Sequence, residues 1–144
     1  MGYRATLLLS VLGALVPGCG DDTDDDDGKS IRVSVSDELV VSWDGGGVGE
    51  ISVNECPAAV TSCPTAFGCS GTFKWSVEVN RPLDNPIMSP QEYGAPVLMT
   101  PGASKDDLEP GRTYSLTVFR FRECDPPDEG CVNRSASGCT VFVP

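Results

Sequence analysis

LEPGRTYSLTV, residues 108–118, holds a proline–glycine turn that runs directly into a strict alternation. Tyr114, Leu116 and Val118 would face one side of an extended chain, Ser115 and Thr117 the other, because successive side chains of a strand point to opposite faces. Working outward, SDELVVSWDGG (residues 36–46) repeats the device, with Leu39, Val41 and Trp43 spaced by two before a glycine turn. Ile31, Val33 and Val35 alternate with Arg32 and Ser34. Ile51 and Val53 flank Ser52, and Phe73, Trp75, Val77 and Val79 alternate with Lys74, Ser76 and Glu78. A short apolar segment, Thr140 to Val143, ends the chain. Valine, isoleucine and aromatics fill these runs, Gly, Pro, Asn and Asp separate them, and no window keeps a helical period. The expectation is an all-β antiparallel sandwich of about seven strands over residues 31–144, long enough to bury a core.

The L-x-V-x-W strand ending at Trp43 and the Leu108–Pro110–Gly111–Tyr114 corner together resemble strand B and the tyrosine corner before strand F of fibronectin type III domains. SPQEYGAP (residues 89–96) and PGAS (101–104), followed by that corner, also resemble a pattern of small exported bacterial sandwich domains. The resemblance spans Ile31 to Pro144 and implies a fold, not a function. It implies that Tyr114 buries its ring while its hydroxyl bonds backbone a few residues upstream, fixing the crossover between sheets. The chain departs from the family between Cys56 and Gly71, where the family has only a short C–C′ turn.

A different logic governs the N-terminal residues. Arg4 precedes the 12-residue apolar run Ala5–Val16, too short for an ordinary bilayer span of ~20 residues. Val16-Pro17-Gly18-Cys19 resembles the lipobox of bacterial lipoproteins. That likeness implies a signal peptide over residues 1–18, cleavage before Cys19, and fatty acylation of the Cys19 sulfur and new amino group. Two or more acyl chains anchor a protein stably without any spanning helix. Gly20 directly after the cysteine, rather than aspartate, points to the outer membrane under the sorting rule of some bacteria. Residues 19–30 form the next unit. Six aspartates between Asp21 and Asp27, opposed only by Lys29, repel one another and leave no core to form, so an extended tether is expected. Eleven residues, Gly20 to Ser30, reach roughly 35–40 Å at full stretch. A calcium loop is not expected there: with Gly28 as the obligatory glycine, Ser34 stands where the bidentate glutamate is required.

Six cysteines remain, as Cys56, Cys63 and Cys69, then Cys124, Cys131 and Cys139. In an exported chain disulfides are the default. Zinc would need close pairs, usually with histidine, and the chain has no histidine. Six cysteines allow 15 pairings. Each cluster holds an odd number, so full pairing demands one or three bridges between clusters. Under the sandwich reading the clusters occupy the C–C′ and F–G loops, at opposite ends of a strand roughly 20 Å long, whereas a disulfide spans ~6 Å between Cα atoms. The 56–72 loop should therefore fold back along the C–F–G sheet.

Several activities are disfavoured. Without histidine, Ser-His-Asp and Cys-His catalysis are out of reach. The acids Asp106, Asp107 and Glu109, and Asp125, Asp128 and Glu129, lie among prolines and glycines and read as solvated loop groups rather than a glycosidase pair. Gly45-Gly46-Gly47 has no following lysine or helix to make a phosphate loop and reads as a flexible turn. Asn133-Arg134-Ser135 fits a glycosylation sequon. Trp43 and Trp75 are expected in the core. A net charge of −11 opposes nucleic-acid binding, which depends on neutralising phosphates. Arg120, Arg122 and Arg134 make at most a local basic patch. No cofactor is expected. The reading that results is a cell-envelope lipoprotein, membrane-held through Cys19, whose domain is a non-catalytic interaction or structural module. An envelope protein or polysaccharide is its expected partner, met through the 56–72 and 124–139 loops. The alternatives are a small carboxylate-based enzyme acting on polysaccharide, or an exported protease inhibitor.

Overall fold

The computed structural model describes residues 30–96, 105–124 and 131–144. The proposed signal segment, Cys19 and its aspartate tether lie outside them, as do Asp125, Asp128 and Glu129. Among the described residues the structure is all-β, with no helix. The strands are β1 (Val33–Val35), β2 (Val40–Trp43), β3 (Glu50–Glu55), β4 (Phe73–Glu78), β5 (Gln91–Glu92), β6 (Tyr114–Glu123) and β7 (Val132–Phe142). They form two antiparallel sheets, one of three strands in the order β1-β2-β5 and one of four in the order β4-β3-β6-β7.

Alternation accounts for the core between them. Ile51 and Val53 of β3, Trp75 and Val77 of β4, and Leu116 and Val118 of β6 pair in register, and each is at most 1% exposed. Val41 and Trp43 of β2 meet them from the smaller sheet, with Val33 and Val35 packed alongside. Both tryptophans are interior, so neither offers a binding platform. Tyr114 is fully buried at the start of β6, and its hydroxyl accepts a hydrogen bond from the Glu109 backbone N–H at 2.8 Å. At the opposite end the three-glycine turn is held firmly. Trp43 Nε1 donates to Gly46 O (2.9 Å), while Arg120 donates to Asp44 O (3.0 Å) and Gly47 O (3.3 Å). Arg32 clasps Asp44 through Nε at 2.7 Å, and this hydrogen-bonded guanidinium holds the carboxyl below the usual aspartate range.

Four features depart from the sequence reading. Leu39 is not the first inward residue of a strand; it sits at φ +59° in the turn before β2, where Leu39 N–H bonds Ser36 O. Phe73 does not join Trp75 inside. Val53 opposes Trp75 but Asn54 opposes Phe73, so a bulge at Lys74 flips Phe73 to the outer face, 60% exposed. β6 runs on to Glu123. The terminal strand is eleven residues long, not the brief 140–143 segment. Its polar stretch Asn133-Arg134-Ser135 hides the alternation, and Cys139 therefore lies within β7 rather than in a loop.

Candidate functional site

The segment between β3 and β4, residues 56–72, crosses the outer face of the four-stranded sheet. Its base is fixed where Cys56 N–H bonds Thr113 O at 2.9 Å and Cys56 bonds covalently to Cys69. Cys63, midway along it, is joined to Cys139 of β7, 76 positions distant in sequence. This is the single bridge between clusters, since Cys124 pairs with Cys131 inside the second one. All six cysteines of the domain are thus paired, and the segment forms a strap.

The sheet face beneath the strap explains why small polar residues alternate with the core residues of β3 and β6. Ser52, Asn54, Ser115 and Thr117 point outward, yet all are buried, Ser115 and Thr117 completely. A strand expected to be half-solvated is covered on both sides. The covering backbone needs partners, because a buried peptide group without one is costly. Cys69 N–H donates to Ser115 Oγ at 2.8 Å, and Asn54 Nδ2 donates to Cys69 O at 3.1 Å. Gly68 sits at φ +76°, with Ser115 Oγ and Thr117 Oγ1 occupying the space a Cβ would need. Only glycine meets both conditions.

Ahead of Gly68 a tight turn presents one aromatic. Thr65 Oγ1 accepts from Phe67 N–H (3.1 Å) and donates to Gly68 O (3.0 Å), while Gly68 N–H bonds Thr65 O (3.1 Å). Phe67 is 60% exposed, but its inner side rests on Phe119 with ring centroids 5.5 Å apart. The Arg134 guanidinium lies 4.2 Å from the Phe119 centroid and 5.6 Å from that of Phe67, and donates to Glu50 Oε2 at 2.6 Å. The result is a ring fixed between two disulfides, edged by a cation and a carboxylate that neutralise each other. Beside the strap an open groove of about 540 Å³ is lined by Ile31, Val33, Ala66, Ser137, Gly138 and Cys139.

Other sequence candidates are dispersed. Asp106, Asp107 and Glu109 are exposed and do not converge; Glu109 pairs with Arg112, and the Asp106 backbone joins β4 at Lys74 O. Arg120 is committed to the glycine turn and Arg134 to Glu50, so they do not combine into one basic face. Among the described residues no group of three or more His, Cys, Asp or Glu is placed to hold a metal ion, and no helix is long and apolar enough to cross a membrane. Phe67, Phe119, Arg134 and Glu50 were not singled out together by sequence. The only signal was glycine–cysteine after an aromatic, uninformative until the strap's path is known. Comparison with protein-family models, curated proteins and solved structures gives no match to the chain. The geometry itself defines an all-β domain of two antiparallel sheets, stapled by three disulfides, with a disulfide-bound strap on its larger sheet.

Proposed function

We propose that the chain is a cell-envelope lipoprotein, anchored through Cys19 and carrying a fibronectin type III-like sandwich that acts as a non-catalytic interaction or structural module. The observation that carries this reading is the complete pairing of the six domain cysteines. Such pairing belongs to oxidising compartments, where the lipobox-like Val16–Cys19 would also send the chain. The strand order, with the bonded Tyr114 hydroxyl, supports the fibronectin type III likeness: β1, β2 and β5 stand as A, B and E, and β4, β3, β6 and β7 as C′, C, F and G. The contact surface is the strap, since an aromatic pre-fixed by covalent links loses little entropy on binding. The partner is an envelope protein or polysaccharide.

Intact-mass measurement on protein recovered from bacterial membranes tests the anchor. A mature chain beginning at acylated Cys19, and release to the soluble fraction by Cys19→Ser, are expected. An unmodified leader, or free thiols throughout the domain, would overturn the assignment. For the module, capture of envelope components by wild type but not by Phe67→Ala is expected, and equal capture by both would remove the strap from the account.

A further inference from the structure

Residues 57–67 are attached to the domain unevenly. At their C-terminal end Cys69 is gripped by its bond to Cys56, both residues being buried (3% and 5% exposed), and by Ser115 and Asn54. Among the described residues, the hydrogen bonds of 57–67 run within the Thr65–Gly68 turn. What ties this stretch to the sheet is the packing around Phe67 and the Cys63–Cys139 bond. Both cysteines of that bond are only half-buried, and the groove beside the strap opens onto Cys139.

The surface under the strap is unlike a core. Ser52, Asn54, Ser115 and Thr117 face it, whereas Ile51, Val53, Leu116 and Val118 face the other sheet. Lifting residues 57–67 would take Phe67 off Phe119 and wet that one ring, while Gly68 and Cys69 stay on Ser115, Thr117 and Asn54 and the hydrocarbon between the sheets is untouched. Phe119 would keep the Arg134 guanidinium across its ring.

We infer that the Cys63–Cys139 bond is a reducible latch: a dithiol reductant opens it, frees residues 57–67 from β7 and uncovers the Phe119 side of the outer sheet face, while Cys56–Cys69 and the two-sheet core persist. A reductant thiolate attacks one sulfur of the pair, and the S–S electrons leave on the other, which takes a proton. The second reductant thiol then displaces the first cysteine, so two electrons pass to the protein and the reductant becomes a disulfide. Local opening of a weakly attached segment, without global unfolding, is ordinary protein behaviour. The inference takes from the proposed function only an oxidising compartment, and its test needs neither anchor nor partner.

Purified oxidised protein is treated with stepwise dithiothreitol, alkylated, and mapped by peptide mass spectrometry, with chymotrypsin cleavage after Phe67 followed in parallel. Cys63 and Cys139 should be alkylated at least about tenfold faster than Cys56 and Cys69, as exposure dictates. Cleavage after Phe67 should accelerate in the same step, with the far-ultraviolet sheet spectrum unchanged. The double variant Cys63→Ser, Cys139→Ser should still melt cooperatively and be cleaved fast without reductant. Concurrent opening of Cys56–Cys69, loss of the sheet spectrum, a protease-resistant strap in the double variant, or failure of that variant to fold would each overturn the latch.

Discussion

Tyr114 and Tyr93 show how much one hydroxyl does here. Tyr114→Phe keeps the buried ring but removes the acceptor for Glu109 N–H, so a loss of about 1 kcal/mol is expected in urea unfolding. An unchanged midpoint would show that the corner is held by packing alone. Tyr93 lies between the Lys74 and Asp106 carbonyls, to which its hydroxyl bonds at 3.1 and 2.7 Å. Burial first, then the charges of Asp106, Tyr114 and Asp107, raise its pKa from 10.0 to about 12. A raised folded-state value means that the unfolded chain gives up this proton first. The stability it contributes is therefore complete below pH 10 and is lost as pH rises towards about 12. Ultraviolet titration should show a late phenol phase that Tyr93→Phe removes. Its persistence in that variant would refute the assignment.

At the scale of elements, β6 carries two neighbouring residues with opposite duties. Leu116→Ala, on the face between the sheets, should cost about 2–5 kcal/mol through a cavity. Thr117→Ala, equally buried but under the strap, should cost under about 1 kcal/mol, having only a 3.7 Å contact to Cys139 Sγ to lose. Equal losses would mean that the outer face is a second core. Gly68→Ala places a methyl against Ser115 and Thr117 at a left-handed φ, and about 1–3 kcal/mol of destabilisation is expected by the same assay. The inward alternation of β3, most of β4 and the start of β6 was legible because it repeats every second residue. Phe73 was misread because a bulge shifts phase without leaving any mark in composition. β7 was shortened because Asn133, Arg134 and Ser135 carry no apolar signal. Cysteine parity led to a 56–72 loop folded back along the sheet, but nothing in the sequence told which outward residues it covers, so the burial of Ser52, Asn54, Ser115 and Thr117 carried no signal of its own. Parity alone required one or three bridges between the cysteine clusters, yet it could not choose Cys63, since only the path of the strap puts that residue beside β7.

For the molecule as a whole, the three disulfides differ in reach. Chain-entropy arguments assign roughly 4.5 kcal/mol to Cys63–Cys139, whose ends are 76 residues apart, and roughly 3 kcal/mol to Cys56–Cys69, 13 apart. Removing the former by paired serine substitution should thus lower the melting temperature more than removing the latter, if both act on the unfolded chain. The reverse order in calorimetry would show that the buried Cys56–Cys69 bond stabilises chiefly by fixing native contacts around Cys69. The strap's attachment has a last consequence. Pro57, Ala58, Ala59, Thr61 and Ser62 are exposed, and the stretch that holds them is tied down by the Phe67 packing and the Cys63–Cys139 bond rather than by the hydrocarbon between the sheets. Foreign peptides spliced there would ask nothing of the interior. That stretch could change in sequence from one relative of the chain to another while the two-sheet architecture is inherited unchanged.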